Sequence, residues 1–402
     1  MDVAALRQSW AQFSAAGPEA AKYFYATLFV IAPEARSMFP TNMRYQEDKL
    51  LAALGHIVSH VDDERELAAF AQRLGADHRR FRGADRQGRE VPLGEWHYVW
   101  VGQALLATLE RFLGPRWTPQ LRAQWAAAYE VVTRLMLTGA ARAERSSPPY
   151  WEAEVLAVQR RRADVCVFTV RPNYLCEYRP GQSLPVQVPH LRLWRYLSPA
   201  NAPRPDGTIE FHVRAAGRFS THLVRRLKVG EQVLLGSPLG AALSSYDRSP
   251  QLPLLLVAGG TGLAPLRAVV EALRQGPGRE TTLVVGGNAP DDLYDDRAVR
   301  ELAAGWPAGG RLRYVPTVEV GWQWSGAVGT AADTAVRLGP WHDTEVLVCG
   351  SPQMTRESIA ALVASGVPEG RILAESYDHS LYPPLAGAVA AGVPDFTGTG
   401  AR

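Results

Sequence analysis

A helix stripe that should end on a leucine ends instead on a histidine. In "LGADHRRF", residues 74–81, the apolar stripe Leu67, Phe70, Leu74 recurs at steps of three and four, and its next member is His78. An imidazole there is either a buried histidine satisfied by a backbone carbonyl or one that keeps a ring nitrogen for a metal. Four other residues of the same region share this ambiguity. Tyr25 lies on an apolar helix face with Ala21, Leu28 and Phe29, and Gln46 heads the stripe Leu50, Leu54, Ile57, Val61. Phe39 sits in the connection "SMFP", and Tyr98 opens the helix after His78. Singly they read as core aromatics, a first-turn polar residue and packing. Jointly they supply one nitrogen able to ligate a metal, two polar groups able to hydrogen-bond a small ligand, and a ring able to pack on a flat group.

A second chemistry belongs to phosphates. "VAGGTGLAPLRAVV" follows a buried apolar strand and opens a helix. Gly259, Gly260 and Gly262, with Thr261 between them, let the backbone approach a pyrophosphate, and the helix N-terminus turns its amides toward the anion. Pro265 suits a first helical turn, where no N–H donor is needed. Downstream, "VCGSP" ends another strand with Cys349, Gly350 and Ser351. Both could be mere tight turns, but ligands in such sheets bind at the carboxyl ends of parallel strands. Between these regions, "LWRYLSPANAPR" places Arg195, Tyr196, Leu197 and Ser198 together on one strand. "GRFSTHLV" offers Gly217, Ser220 and Thr221 as a helix start whose amides could take a second pyrophosphate.

The elements that must position these residues fall into segments. Residues 1–145 read as almost wholly helical by their 3.6-residue periodicity, and "ERSSPPYW" cannot continue a helix. Over 150–248 the period becomes two, in "WEAEVLAV", "VCVFTV", "SLPVQV", "TIEFHVRA" and "EQVLLG", which predicts an antiparallel β-barrel. Over 251–381 apolar strands alternate with helices, which predicts an open parallel α/β sheet. Residues 382–402 are small and polar and are expected to be a disordered tail. The expected fold class is multidomain: all-α, then antiparallel barrel, then α/β.

Bulk composition narrows the partners. The chain has 402 residues, 47% hydrophobic and 21% charged, with a net charge of +3. That charge leaves no footprint for nucleic acid, and no apolar run is long enough for stable membrane insertion. The basic side is nearly all arginine, with Lys22, Lys49 and Lys228 the only lysines, as in GC-rich genomes. Three cysteines, Cys166, Cys176 and Cys349, match no metal spacing and read as reduced thiols in a cytoplasmic protein. Small molecules are the expected partners, and the oligomeric state is left open.

These motifs carry a resemblance. Residues from about 150 to 380 resemble the ferredoxin–NADP reductase-like modules that bind FAD and a nicotinamide coenzyme. The Gly-x-x-Ser helix start, the GGTGxAP loop and the late Cys-Gly-Ser turn are present as written. With the helical segment in front, residues 1–380 resemble flavohaemoglobins in their domain order. The resemblance implies haem b, FAD, and NADH or NADPH as cofactors. It implies His78 as proximal iron ligand, Tyr25 and Gln46 as distal groups with Leu50 beside them, Phe39 against the haem, and Tyr98 on the proximal side. It also places Tyr377, in "AESYDHS", over one flavin face.

Three departures stand out. The family tyrosine that stacks on the flavin falls on Leu197, and neighbouring Tyr196 should point to the opposite face of the strand. The family glutamate paired with the proximal histidine and tyrosine falls on Ala140, and Asn288 stands where close relatives tend to have arginine. The implied activity is a nitric oxide dioxygenase: NAD(P)H reduces FAD, FAD reduces haem iron, and NO and O2 leave as nitrate. The alternatives are the same electron path with peroxide or a lipid hydroperoxide as acceptor, or an oxygen-binding or sensing globin with an attached reductase.

Overall fold

The computed structural model describes residues 1–39, 43–84, 89–240, 242–320 and 324–376. The expected tail and Tyr377 lie outside the described residues. The chain divides into two compact units, with the boundary between Tyr150 and Trp151.

The first unit is built from α1 (Val3–Ser14), α2 (Pro18–Ile31), α3 (Arg44–Ser59), α4 (Glu64–His78), α5 (Glu95–Leu113) and α6 (Pro119–Glu144). Local chemistry sets several starts. The Asp63 carboxylate caps α4 by accepting from the Glu66 amide at 3.0 Å, and the Thr118 hydroxyl caps α6 by accepting from the Leu121 amide at 3.1 Å, with Pro119 in the first turn. The main core gathers Leu6, Phe13, Phe24, Leu28, Leu109 and Trp125. The stripe on α3 ends sooner than its periodicity suggests, since the helix stops at Ser59 and buried Val61 follows it.

Two features of this unit were not expected. After His78, β1 (Arg82–Ala84) and β2 (Glu90–Pro92) pair antiparallel. The crossing of α4 and α6 is set by glycines. A Cβ on Gly75 would overlap the Met136 carbonyl, and a Cβ on Gly139 would overlap the Gln72 carbonyl. Leu67, Ala71, Val132 and Met136 fill the cluster on either side of this contact.

The second unit opens with β3 (Trp151–Arg160), β4 (Val165–Pro172), β5 (Leu184–Val188), β6 (Leu193–Leu197), β7 (Ile209–Arg214), α7 (Arg218–Arg226) and β8 (Gln232–Leu235). The strands form one antiparallel sheet in the order β6-β5-β8-β3-β4-β7. The sheet curls back on itself: after β6, Pro199 bridges Phe211 of β7, and the Ala200 amide donates to the Glu210 carbonyl at 2.7 Å. Phe168, Phe211, Val186 and Leu223 fill its interior.

The rest of the unit is α/β: β9 (Leu254–Gly259), α8 (Leu263–Arg274), β10 (Thr281–Gly287), α9 (Asp296–Ala304), β11 (Leu312–Val318), β12 (Ala327–Val328), α10 (Ala331–Leu338), β13 (Glu345–Gly350), α11 (Pro352–Ala364) and β14 (Ile372–Ser376). All pairings are parallel, in the order β12-β11-β10-β9-β13-β14. The chain winds outward from β9 in one direction through β12, then returns to the other side of β9 as β13. The strand order therefore reverses between β9 and β13, where open sheets form a crevice. Among the described residues, no helix is long and apolar enough to cross a membrane.

Candidate functional site

His78 is the last residue of α4. Its Nδ1 lies 2.7 Å from the carbonyl oxygen of Leu74, one turn back. A carbonyl can only accept, so this contact protonates Nδ1 and leaves the Nε2 lone pair for another partner. Burial pushes the imidazole below its ordinary value and so keeps it neutral, against the pull of the Leu74 hydrogen bond. The two readings of this residue are thus not exclusive: the carbonyl satisfies one nitrogen and orients the other.

The remaining helical candidates lie on α2, α3, α5 and the connection between α2 and α3. Tyr25 is buried on α2, and its hydroxyl donates to the Gln46 carbonyl at 3.2 Å. Burial pushes its phenol well above the usual value, so it stays a hydrogen-bond donor. Phe39 follows the 3-10 turn Pro33–Met38, with its ring 5.3 Å from that of Tyr25 and 5.5 Å from that of Phe29. Gln46 sits in the first turn of α3, and Leu50, one turn on, packs against the same core. Tyr98, on α5, belongs to the α4–α6 cluster beside Leu74, and burial pushes its phenol up to about 12. Its backbone carbonyl accepts from the Tyr129 hydroxyl at 2.6 Å. Ala140 follows Gly139 on α6 and offers His78 no carboxylate.

On the barrel, cross-strand register settles which way β6 faces. Leu197 pairs with Leu184 and Arg195 with Val186, both fully buried, whereas Tyr196 pairs with Pro185. Paired residues share a face, so Leu197 lies on the barrel-core face, where it packs, and Tyr196 lies on the other. Ser198 is buried with its hydroxyl 3.0 Å from that of Ser183. Gly217 precedes α7, and a Cβ there would meet nothing within 4 Å. The Ser220 hydroxyl accepts from the Ala216 and Gly217 amides at 2.9 and 3.0 Å, and the Thr221 amide donates to the Gly217 carbonyl at 2.8 Å. These bonds fold the α7 start into a compact turn open to one side.

The two α/β turns meet. Gly260 takes φ +53°, a conformation side chains disfavour, to swing the chain from β9 toward α8. A Cβ on Gly262 would overlap the Cys349 carbonyl at the end of β13, so glycine is required for the two strand ends to touch. Gly350 and Gly259 lie side by side against the Met354 side chain, and the Ser351 hydroxyl caps α11 by accepting from the Met354 amide at 3.2 Å. Gly259, Thr261 and Pro265 complete the turn, with Pro265 in the first turn of α8.

Each segment matches a family of known proteins. Residues 22–136 match the globin family, 157–243 the oxidoreductase FAD-binding domain, and 256–358 the oxidoreductase NAD-binding domain. A flavohemoprotein of Deinococcus radiodurans is 31% identical over 288 residues, covering 67% of this chain and 68% of the relative. The chain belongs to the flavohemoprotein family. A flavohemoprotein of Bordetella pertussis is 26% identical over 392 residues, covering 90% of this chain and 94% of its own. A flavohemoglobin of Malassezia yamatoensis, solved with bound FAD and haem, has the same fold at a TM-score of 0.73 and 16% identity, covering 94% of this chain and 98% of its own. This flavohemoprotein is therefore an oxidoreductase whose cofactors are haem, FAD and a nicotinamide coenzyme. The residues present fit those groups: a neutral imidazole with one nitrogen free of hydrogen bonds among the described residues, an open helix start on the barrel, and a glycine-rich turn at the switch of strand order.

Sequence reasoning did not find the polar seam behind the β9 turn. The Arg267 guanidinium on α8 lies 2.5 Å from Glu210 of β7, 3.2 Å from Glu271 and 3.2 Å from Asp295, and donates to the Ala200 carbonyl at 2.9 Å. His212 continues the seam, with Nε2 3.2 Å from Glu210 and Nδ1 2.9 Å from the Tyr294 hydroxyl. An arginine on a helix gives no local hint of such partners. The glycines at 75 and 139 did carry a hint, because mid-helix glycine costs about 1 kcal/mol relative to alanine and needs a packing reason.

Proposed function

We propose that this flavohemoprotein is an NAD(P)H-dependent nitric oxide dioxygenase that converts NO and O2 to nitrate. The observation that carries the reading is His78, neutral and oriented by Leu74, in a chain that also holds a flavin and a nicotinamide module. When bound, haem supplies the iron at which oxygen and nitric oxide combine, and FAD converts two-electron nicotinamide chemistry into single electrons. His78 would hold the iron through Nε2, with Phe39 and Leu50 packing against the ring. Tyr25, kept protonated by burial, would offer its hydroxyl as a hydrogen-bond donor on the distal side of the haem pocket, with the Gln46 side chain as the second donor. Tyr98 would pack on the proximal side.

In the other unit, the resemblance assigns Arg195, Tyr196, Leu197 and Ser198 to the flavin edge and phosphate, and the partial exposure of Leu197 at the end of β6 leaves it able to make apolar contact there. The turn Gly217, Ser220, Thr221 would take the FAD pyrophosphate. The turns Gly259–Pro265 and Cys349–Ser351 would seat the nicotinamide coenzyme, and Tyr377 is assigned to the flavin by resemblance alone. Buried cysteines and the nicotinamide requirement support a cytoplasmic location.

The second reading, an oxygen-binding globin with its own reductase, is favoured by Ala140, which removes the carboxylate that would push electron density through His78. The deciding assay adds NO to the purified protein with oxygen and NADH or NADPH and follows NO loss and nitrate. Rapid NO loss with stoichiometric nitrate is expected. Ready haem reduction with slow NO turnover would favour the second reading. His78→Ala should abolish the haem band while leaving flavin reduction intact; retention of the band would sink the ligand assignment.

A further inference from the structure

We propose that Arg267 is a positioning residue that sets the nicotinamide turn against the flavin seat by clamping α8 to β7. The proposal rests on the assignment of those turns under the function proposed above. Arg267 lies five residues after Gly262, on the helix that the glycine turn opens. Its main partner, Glu210, lies on β7, the strand that runs through Arg214 to Gly217 and the start of α7. A shift of α8 against β7 would therefore move one coenzyme turn relative to the other. The end of β7 even reaches the turn itself: a Cβ on Gly260 would lie 3.5 Å from the Arg214 guanidinium.

The clamp suits arginine for a geometric reason. Three carboxylates surround the guanidinium in different directions, and its planar fork can serve them and the Ala200 carbonyl together, which an ammonium cannot. Arg204, 3.4 Å from Glu271, and Arg161, 3.8 Å from Asp295, balance the charge at the rim. Glu210 is also bonded to His212, whose side chain is fully buried, so the β7 end of the clamp is rigid. Reactions between two bound rings are sensitive to misplacement on the scale of 1 Å. A loosened clamp should thus slow electron delivery to the flavin more than it weakens coenzyme binding.

The test uses the full-length flavin-loaded chain with Arg267→Met, Arg267→Lys and Glu210→Gln. Three quantities are read: anaerobic flavin reduction at saturating NADH or NADPH, the dissociation constant of the oxidised coenzyme, and hydrogen exchange of the amides of 263–271. For Arg267→Met we expect reduction at least tenfold slower, the dissociation constant within threefold, and faster exchange along α8. Arg267→Lys and Glu210→Gln should fall between it and the unaltered protein. Unchanged reduction and exchange in Arg267→Met overturns the clamp, as does a loss explained wholly by lost flavin. If Arg267→Met does not fold, the two milder variants decide, and an unchanged reduction rate in both overturns it. If neither coenzyme reduces the unaltered protein, the reading of the turns fails instead, and unchanged exchange in the variants still overturns the clamp.

Discussion

The two units build their candidate sites from different material. In the helical unit the chemistry rests on single side chains, His78, Tyr25 and Gln46, each held by one contact or by packing. In the barrel and α/β unit it rests on backbone: the open turn at Gly217 and the glycine-rich turn Gly259–Gly262, fixed by caps and by a buried ionic seam. Both units nevertheless use glycine for close approach. In the first it brings two helices together, and in the second two strand ends. The comparison teaches where substitutions act. A side-chain site can lose a role with its scaffold intact. A backbone site fails when its spacing does.

The largest effect should come from the helix crossing. Gly139→Ala drives a methyl into the Gln72 carbonyl, a contact between two backbones that rotamers cannot relieve, and should cost at least about 3 kcal/mol. Haem retention and the thermal midpoint of the helical unit should both fall; a normal midpoint would show that α4 and α6 can part cheaply. Gly262→Ala should cost about 2 to 3 kcal/mol at the β9–β13 contact and weaken coenzyme binding while leaving haem retention normal. Loss of haem in that variant would break the division between the units.

Acid should separate the units by pH. Burial pushes His56 and His97 below the ordinary 6.5, so the unfolded helical unit binds protons first and its stability declines as pH falls through 6.5. In the other unit burial pushes one histidine, His222, below 6.5 in the same way, a smaller effect than that of the helical unit's histidines. There burial would raise Glu210, but the hydrogen bond with His212 and the charge of Arg267 outweigh it and hold the carboxyl at about 2. Its stabilisation is present above 4.5 and is lost as pH falls from there toward 2. Urea midpoints of the intact chain, read by limited proteolysis with fragments assigned by mass, should show the helical unit weakening first. Simultaneous weakening would remove the distinction. The smallest effect is Tyr25→Phe, which loses one hydrogen bond worth about 1 kcal/mol and should leave stability close to normal while shortening oxygen retention. Unchanged retention would remove Tyr25 from the distal group.

Local patterns made much of this molecule legible. The stripe ending at His78, the strand–glycine–helix passage at 254–274 and the change of period at the "ERSSPPYW" linker all appear in the folded chain, because helix caps, strand alternation and turn glycines act over a few residues. Strand alternation also placed Tyr196 and Leu197 on opposite faces, as the register shows. Less visible were the short pairing of 82–84 with 90–92 and the partner strands 312–318, 327–328 and 372–376, which depend on neighbours far along the chain.

By itself, then, the sequence determined the order of all-α, antiparallel and parallel segments and the residue types able to hold iron, flavin and nucleotide. Periodicity and turn chemistry are written in consecutive residues. Tertiary structure alone decided that Gly75 and Gly139 meet at one helix crossing, that Gly262 closes on Cys349, and that Arg267 finds Glu210 across 57 positions. Those contacts arise from packing and charge pairing between elements remote in the chain, and no local pattern encodes which distant backbone or carboxylate will be there.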